Sequence, residues 1–150
     1  MHSLTVEIRQ LPQAAGLPLP AYQTAGASGM DILAAVPVGV TIQPGEITLV
    51  PTGLTMAIPM GWECQIRPRS GLAVKHGISL PNTPATIDAD YRGEILVPLI
   101  NLGRVPFTVE RGMRVAQLVF APVAVARWVT VDELPPTTRA DGGFGHTGLA

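Results

Sequence analysis

Short alternations of apolar and polar residues run through much of this chain. Segments 4–9 and 54–58 both place an apolar residue at every second position. A period of two residues is typical of a strand that buries one of its faces. Turn-forming residues such as Pro44-Gly45 separate these runs from the next ones. The pattern therefore predicts many short strands joined by tight turns.

Nine segments have this alternation or a short apolar run. The sequence predicts strands over 4–9, 38–42, 46–50, 54–58, 62–66, 94–101, 107–109, 114–120 and 123–131. Only 70–76 is predicted to be helical, with Ser70 as its N-terminal cap and Gly77 as its left-handed stop. We therefore expect an all-β sandwich or jelly roll with one short helix.

Length and composition favour one compact domain. The chain has 150 residues, of which 47% are hydrophobic and 14% charged, and 16 Gly and 15 Pro are scattered without a period. A chain of this size can bury about two-thirds of its unfolded surface. We expect a β core over 1–134 and a flexible C-terminal arm over 135–150, because that tail is polar and Gly-rich.

Charge and cysteine content limit the partners and the compartment. The formal net charge is −1 and no run of Lys or Arg occurs, which disfavours a nucleic-acid partner. Cys64 is the single cysteine and suits a reducing cytoplasm. The first residues do not resemble a signal peptide, and the most apolar stretch, 118–131, is interrupted by Pro122 and Arg127. We expect a cytoplasmic protein without a membrane partner.

Two clusters in the middle of the chain could support chemistry. Segment 67–71 places two Arg and one Ser at the start of the predicted helix, where phosphate binds favourably, although a solvated basic turn is the alternative. Segment 87–94 contains Asp88, Asp90 and Glu94, one of which could act as a general base, unless the segment is only a polar hairpin tip.

The C-terminal segment 139–148 combines one Arg and one Phe with four Gly. Such a segment could close over a nucleotide, with an unstructured tail as the alternative. Asp31 and Gln117 are polar residues within apolar strands, and each could instead satisfy a neighbouring backbone group. No helical zinc signature, P-loop or nucleophile triad is present, so covalent catalysis has no support.

Together these segments resemble the five signature motifs of the trimeric dUTPase family in order and spacing. The likeness covers about residues 22 to 148. The matching segments are AGASGMDILAA at 25–35, RPRSGLAVKHG at 67–77, PNTPATIDADYRGE at 81–94, RGMRVAQLVF at 111–120 and RADGGFGHTG at 139–148.

The resemblance implies a jelly-roll homotrimer that hydrolyses dUTP to dUMP and pyrophosphate with Mg²⁺, at active sites between subunits. Asp88 matches the aspartate that activates the attacking water. Tyr91 matches the tyrosine that packs beneath the deoxyribose and rejects a ribose. The hairpin that reads uracil corresponds to Asn82, Thr86, Ile87 and Leu96.

The remaining motif residues correspond to the phosphate end of the site. By the resemblance, Asp31 reaches Mg²⁺ through water and is not a direct ligand, while Arg139 and Phe144 clamp the γ-phosphate and cover the uracil. The other implied phosphate-side residues are Arg69, Ser70, Gly71, Gln117, His146 and Thr147.

Three positions depart from the family pattern, and two other functions compete with the one implied. Ala85 and Ala140 stand where glycine is usual, and Met113 stands where an acidic residue is common. None of these removes a reacting group, so we expect altered kinetics rather than lost activity. The alternatives are a dCTP deaminase, including a bifunctional deaminase–dUTPase, and a non-catalytic nucleotide-binding trimer.

Overall fold

A computed structural model describes residues 3–144 and shows a β sandwich of the jelly-roll type. In chain order its strands are β1 Glu7–Gln10, β2 Met30–Leu33, β3 Val40–Ile42, β4 Ile47–Pro51, β5 Leu54–Ala57, β6 Trp62–Pro68, β7 Ile78–Ser79, β8 Ala85–Ile87, β9 Leu96–Asn101, β10 Phe107–Val109 and β11 Arg114–Pro122. The helices are a 3₁₀ turn at Pro12–Ala14 and helix α1 at Ser70–His76.

Antiparallel pairing organises the strands into two larger sheets and two strand pairs. The largest sheet has the order β2-β11-β6-β8, and the second has the order β4-β9-β7. Strands β1 and β5 form one pair, and β3 and β10 form the other. The backbone N–H of Ile95 donates to the carbonyl of Leu54 at 2.8 Å, which links the start of β9 to β5.

The core lies between the sheets and is formed by the inward positions of the alternating strands. Val50, Val97 and Leu99 from the second sheet are fully buried, as are Ile32 and Leu118 from the largest sheet. Burying one such side chain stabilises the fold by about 1.5–3 kcal/mol. The apolar alternation in the sequence is therefore the main source of stability.

Eight of the nine predicted strands are present, with shifted ends. The predicted strand over 123–131 is wrong, because β11 ends at Pro122 and residues 123–131 are exposed and pair with no strand among the described residues. The predicted buried face of 4–9 is also wrong for β1, whose four residues are all exposed. Strands β2, β7 and β8 were not among the nine predicted strands. In β7 and β8, two or three residues are too few to establish a period.

Helix α1 has the predicted bounds but not the predicted cap. Gly77 adopts the left-handed conformation, with φ of 70°, and its N–H donates to the carbonyl of Ala73. Arg69 occupies the N-cap position in an extended conformation and makes no capping bond with its side chain. Ser70 is the first helical residue, so the prediction of Ser70 as cap is wrong. Within residues 3–144 no helix is long and apolar enough to span a membrane.

Asn101 is a buried polar residue that ties three parts of the sandwich together. Its amide nitrogen donates to the carbonyls of Ile42 at 2.9 Å and Val105 at 2.8 Å. Its amide oxygen accepts from the N–H of Gly103 at 2.9 Å. One side chain thus satisfies groups on β3 and on the loop between β9 and β10.

Cys64 lies in the core on β6 and is fully buried. Burial raises the pKa of its thiol to about 12. A hydrogen bond with the backbone of Val119 lowers this pKa in part, and the negative charge of Glu63 raises it further. A thiol is nucleophilic only as thiolate. Cys64 is therefore a structural residue in the folded chain.

Asn101→Ala is expected to lower the free energy of unfolding by about 3 kcal/mol, because it leaves buried backbone groups without partners. Urea unfolding monitored by circular dichroism measures the change. Leu102→Ala, at an exposed neighbouring position, is the control and should stay within about 0.5 kcal/mol of the parent. Equal effects of the two substitutions would show that the hydrogen bonds of Asn101 do not stabilise the fold.

Cys64 should not react with a thiol reagent at pH 8 until the chain unfolds. A pKa of about 12 leaves roughly one thiol in ten thousand ionised at that pH. Because the folded pKa lies above the ordinary thiol value of 9.0, the contribution of Cys64 to stability is complete below pH 9 and is lost as pH rises toward 12. Colour release from an aromatic disulfide reagent, with and without urea, tests this. Rapid labelling of the native protein would contradict it.

Candidate functional site

The first group of candidate residues gathers around the end of the largest sheet. Strand β11 lies between β2 and β6, and its residue Gln117 is in register with Asp31 on one side and Arg67 on the other. Arg69 follows the end of β6, directly before α1. Strand pairing therefore brings together residues that are far apart in the sequence.

Asp31 is the centre of this group and is buried, with 6% of its surface exposed. Its Oδ1 atom lies 3.1 Å from Nε of Arg69 and accepts a 3.5 Å hydrogen bond from Gln117. Its Oδ2 atom lies 3.7 Å from Nη1 of Arg114. A buried carboxylate needs such partners, because an isolated buried charge is strongly unfavourable. We refer to these four residues as the Asp31 cluster.

The Asp31 cluster fixes the orientation of the Arg69 guanidinium. Nε contacts Asp31, and Nη1 donates to the carbonyl of Arg114 at 3.1 Å. Among residues 3–144, no acceptor is hydrogen-bonded to Nη2 of Arg69, and about a third of the side chain is exposed. A guanidinium held in this way can present its remaining N–H donors to a phosphate.

Ser70 and Gly71 are both exposed at the start of α1, next to Arg69. A Cβ added to Gly71 would meet no atom of the described chain within 4 Å. The Ser70 hydroxyl and the local backbone are therefore accessible to a ligand that contacts Arg69.

The second group of candidate residues lines a separate pocket of about 250 Å³, called here the β8 pocket. Six sequence-predicted residues share it, and the remaining wall comes from β4, β6, β8 and β9 and from the two residues that precede β9. Its lining consists of Leu49, Ile66, Asn82, Ala85, Thr86, Ile87, Asp88, Tyr91, Glu94, Ile95, Leu96 and Pro98.

A tight turn after β8 places Asp88 and Tyr91 at the β8 pocket. The N–H of Tyr91 donates to the carbonyl of Asp88 at 3.1 Å, and the Tyr91 hydroxyl donates to the carbonyl of Glu94 at 2.9 Å. Arg92 donates to the carbonyls of Ala89 and Tyr91, which holds the turn closed. The ring of Tyr91 is thereby fixed at the rim of the pocket.

The three carboxylates of 87–94 have different surroundings. The carboxylate of Glu94 accepts a hydrogen bond from the N–H of Gly53 at 2.9 Å and so links its loop to the residue before β5. Asp90 is exposed and does not line the pocket. Asp88 lines the pocket, is exposed to solvent and accepts no side-chain hydrogen bond from the described residues. Of the three, Asp88 is the one placed to bind and deprotonate a water.

The two groups lie at opposite ends of β6 within one chain. Cys64 pairs with Ile87 and Ile66 with Ala85, so that Asp88 comes level with Glu63. Arg69 is six residues further along, or roughly 20 Å at the rise of a strand. A small ligand held by Arg69 of one chain is therefore out of reach of Asp88 in the same chain.

Arg139 and Phe144, the two C-terminal candidates within the described residues, are hydrogen-bonded to neither group. Arg139 donates from Nε to the carbonyl of Gly142 at 2.8 Å, within a local turn. Phe144 is fully exposed. His146 and Thr147 lie outside the described residues.

The three departures from the family pattern have distinct surroundings. Ala85 is buried in β8 and does not have a positive φ, so its methyl group is accommodated in the strand. Met113 packs against the core, which explains an apolar residue there. Ala140 has φ of 47°, a conformation that favours glycine.

Sequence reasoning did not single out Arg114 or the apolar wall of the β8 pocket. Arg114 lies three residues before Gln117, but only the pairing of β11 with β2 brings it to Asp31. Leu49 and Pro98 are opposite each other on β4 and β9 and have no local signal, since their role depends on tertiary packing.

Comparison with known proteins gives one family. The family model described as dUTPase matches residues 15–148. A curated relative from Desulfotalea psychrophila, a deoxyuridine 5'-triphosphate nucleotidohydrolase, is 60% identical over 133 residues, which are 89% of this chain and 89% of the relative.

Solved structures show the same fold. A dUTPase variant of Staphylococcus bacteriophage 80alpha, determined with dUpNHpp, has a TM-score of 0.83 at 23% identity and covers 97% of this chain and 99% of its own. A dUTPase variant of phage phi11 of S. aureus, described with a structural Mg(II) ion, has a TM-score of 0.76 at 21% identity and covers 86% and 97%.

Proposed function

The chain belongs to the dUTPase family and is a dUTP diphosphatase, and on that premise we propose how its residues carry out the reaction. A water bound and deprotonated by Asp88 attacks the α-phosphorus in line, and dUMP and pyrophosphate leave. The single observation that carries this proposal is the position of Asp88 in the β8 pocket, exposed and without a side-chain partner among the described residues.

Uracil recognition is assigned to the β8 pocket. Strand β8 is the edge of its sheet and pairs only with β6 among the described strands, so its outer backbone groups remain available. Backbone donors and acceptors near Thr86 and Ile87, with Asn82, match the hydrogen-bonding edge of uracil. Leu96 closes the pocket, and Tyr91 lies under the deoxyribose. A wrong base leaves buried polar groups unpaired, which gives strong discrimination.

Phosphate binding is assigned to the Asp31 cluster and the start of α1. Arg69 is already oriented by Asp31, so little side-chain entropy is lost when it binds phosphate. Ser70, Gly71 and Gln117 complete this side of the site. Arg139, Phe144, His146 and Thr147 close over the γ-phosphate and the base, and closure excludes water from the reaction.

Mg²⁺ fits this arrangement as an ion held mainly by the substrate. Among residues 3–144, no three His, Cys, Asp or Glu side chains come together as a metal cage. Oδ2 of Asp31 is 3.7 Å from Arg114, beyond hydrogen-bond distance, and can still accept from metal-bound waters. Mg²⁺ keeps waters in such sites and, when bound, neutralises phosphate charge.

We propose a homotrimer whose active sites join the Asp31 cluster of one subunit to the β8 pocket of another. The separation of roughly 20 Å along β6 supports this, since one chain does not complete the site. An exposed apolar segment after β11 supports it too, because Val125, Trp128 and Leu134 have no partner within the described chain. A groove of about 720 Å³ offers apolar surface, with lining from Val6, Ile8, Met56, Trp62, Leu118 and Phe120.

By removing dUTP, the reaction would limit uracil incorporation into DNA and supply dUMP for thymidylate synthesis. We propose that the enzyme acts in the cytoplasm, which its single reduced cysteine supports.

Asp88→Asn is expected to lower kcat for pyrophosphate release from dUTP by about 10²–10⁴-fold, the usual contribution of a general base. Binding of a non-hydrolysable dUTP analogue should persist, because the amide keeps the shape of the carboxylate. The matched control is Asp90→Asn in the same turn, which should retain turnover.

Substrate preference is tested by comparing pyrophosphate release from dUTP, dCTP, dTTP and UTP. Analysis of the products from dCTP shows whether deamination also occurs.

Two results would count against this assignment. Equal turnover of Asp88→Asn and the parent would remove Asp88 as the base. Formation of dUTP or dUMP from dCTP would show that the protein is also a deaminase.

Two inactive variants are expected to restore activity when they share a trimer. In a random mixture of Asp88→Asn and Arg69→Gln chains, about a quarter of the interface sites would receive both native residues. Pyrophosphate release after co-refolding should therefore return to about a quarter of the parent value.

Each variant refolded alone is the control, and differently tagged chains show by gel filtration and pull-down that mixed trimers form. Mixed trimers without recovered activity would place both residues in the same subunit's site and contradict the interface proposal.

A further inference from the structure

Gly93 lies directly beside the ring of Tyr91 in the turn after β8. A Cβ added at position 93 would be 2.5 Å from Cζ and 2.9 Å from Cε2 of Tyr91, and closer still to the hydroxyl oxygen. Real Cβ atoms do not approach other atoms so closely. The ring therefore lies across the backbone of residue 93 in space that any side chain would occupy.

The requirement for glycine here is spatial rather than conformational. Gly53 and Gly77 have φ of 63° and 70°, where other residues are strained, but Gly93 is not among the residues with positive φ. An alanine could adopt the backbone of residue 93, and its methyl group would still displace the Tyr91 ring.

The carbonyl that holds the Tyr91 hydroxyl is itself fixed to the framework. Glu94 accepts the Tyr91 hydrogen bond with its carbonyl, and its carboxylate accepts from the N–H of Gly53. The next residue, Ile95, accepts a 2.7 Å hydrogen bond from the buried Thr52 hydroxyl. The ring is thus held by the hydrogen bond of its hydroxyl, and its side lies against the backbone of Gly93, which has no side chain.

We propose that Gly93 is a positioning residue that sets the selectivity for deoxyribose over ribose through Tyr91. The inference rests on the proposed function, in which the face of Tyr91 lies under the sugar. Because Tyr91 lines the β8 pocket and 45% of it is exposed, the surrounding protein does not hold the ring in place by burial. Its position depends on the hydroxyl bond and on the space at Gly93.

The test is a double-mutant cycle with Gly93→Ala and Tyr91→Ala, measured as the ratio of kcat/KM for dUTP to kcat/KM for UTP. Gly93→Ala alone should lower this ratio by about tenfold or more, the range over which one small group in a pocket discriminates. In the Tyr91→Ala background, Gly93→Ala should leave the ratio unchanged, because no ring remains to be displaced.

Matched variants separate positioning from folding. Asp90→Ala, in the same turn but away from the pocket, should keep the parent ratio. Tyr91→Phe, which removes the hydrogen bond to Glu94 but keeps the ring, should lower the ratio less than Gly93→Ala does. Thermal unfolding reports whether each variant folds. If Gly93→Ala does not fold, Tyr91→Phe still tests the premise of the inference, that the fixed position of the ring sets the ratio.

Several outcomes overturn the inference. An unchanged ratio in folded Gly93→Ala would do so, as would an equal effect of that substitution with and without the Tyr91 ring. If Tyr91→Phe kept the full parent ratio, the position of the ring would not depend on its hydroxyl bond, and the premise of the inference would be wrong. A parent protein that released no pyrophosphate from dUTP would instead refute the proposed function, and the two failures are thereby distinguished.

Discussion

The antiparallel pairing of β6 with β11 and β8 is the constraint on which the rest of the structure depends. One neighbour of β6 is β11, which places Gln117 beside Arg67 and, through its pairing with β2 on the other side, beside Asp31. The other neighbour is β8, which carries part of the wall of the β8 pocket. Because a strand is extended, residues at its two ends cannot approach each other. The same pairing that assembles each half of the site also keeps the halves apart within one chain. The proposed homotrimer would reconcile these two facts, because it brings the Asp31 cluster of one chain to the β8 pocket of another.

In the Asp31 cluster, a buried charge orients the arginine to which we assign phosphate binding. Removing a carboxylate from water costs several kcal/mol unless partners compensate, and Arg69 and Arg114 supply that compensation. In return Asp31 restricts Arg69 to one orientation before any ligand arrives. Under the proposed function, stability and phosphate recognition are therefore coupled at Asp31, and a substitution there would alter both.

Much of the fold could be predicted from the sequence, because successive side chains of a strand point to opposite faces of the sheet and only one face is buried. The alternation over 54–58 and the run over 107–109 gave strands at nearly the observed bounds, and Gly77 gave the end of α1. The segment 123–131 has the same apolar character but pairs with no strand among residues 3–144, so the local pattern alone predicted it wrongly. Sequence also cannot show that a carbonyl such as that of Glu94 holds a tyrosine hydroxyl.

The motifs predicted several candidate residues of the β8 pocket, but they did not predict the apolar residues that complete its wall. Asp88 and Tyr91 stand in a segment with unusual composition, but Leu49 enters the pocket from a strand with ordinary composition. Such residues are recruited by three-dimensional packing and can be recognised only after the chain has folded.

The free edge of β8 has a consequence for how substrate preference can evolve. Under the proposed function, main-chain groups of β8 bind the base. Most point mutations along that strand then leave these hydrogen-bonding groups in place, since every amino acid except proline has the same backbone donor and acceptor. Drift toward another pyrimidine would then require a change in the course of the hairpin, through insertion, deletion or replacement at a tightly packed position such as Ala85. Recognition of this kind is robust to mutation in a way that a pocket of specific side chains is not.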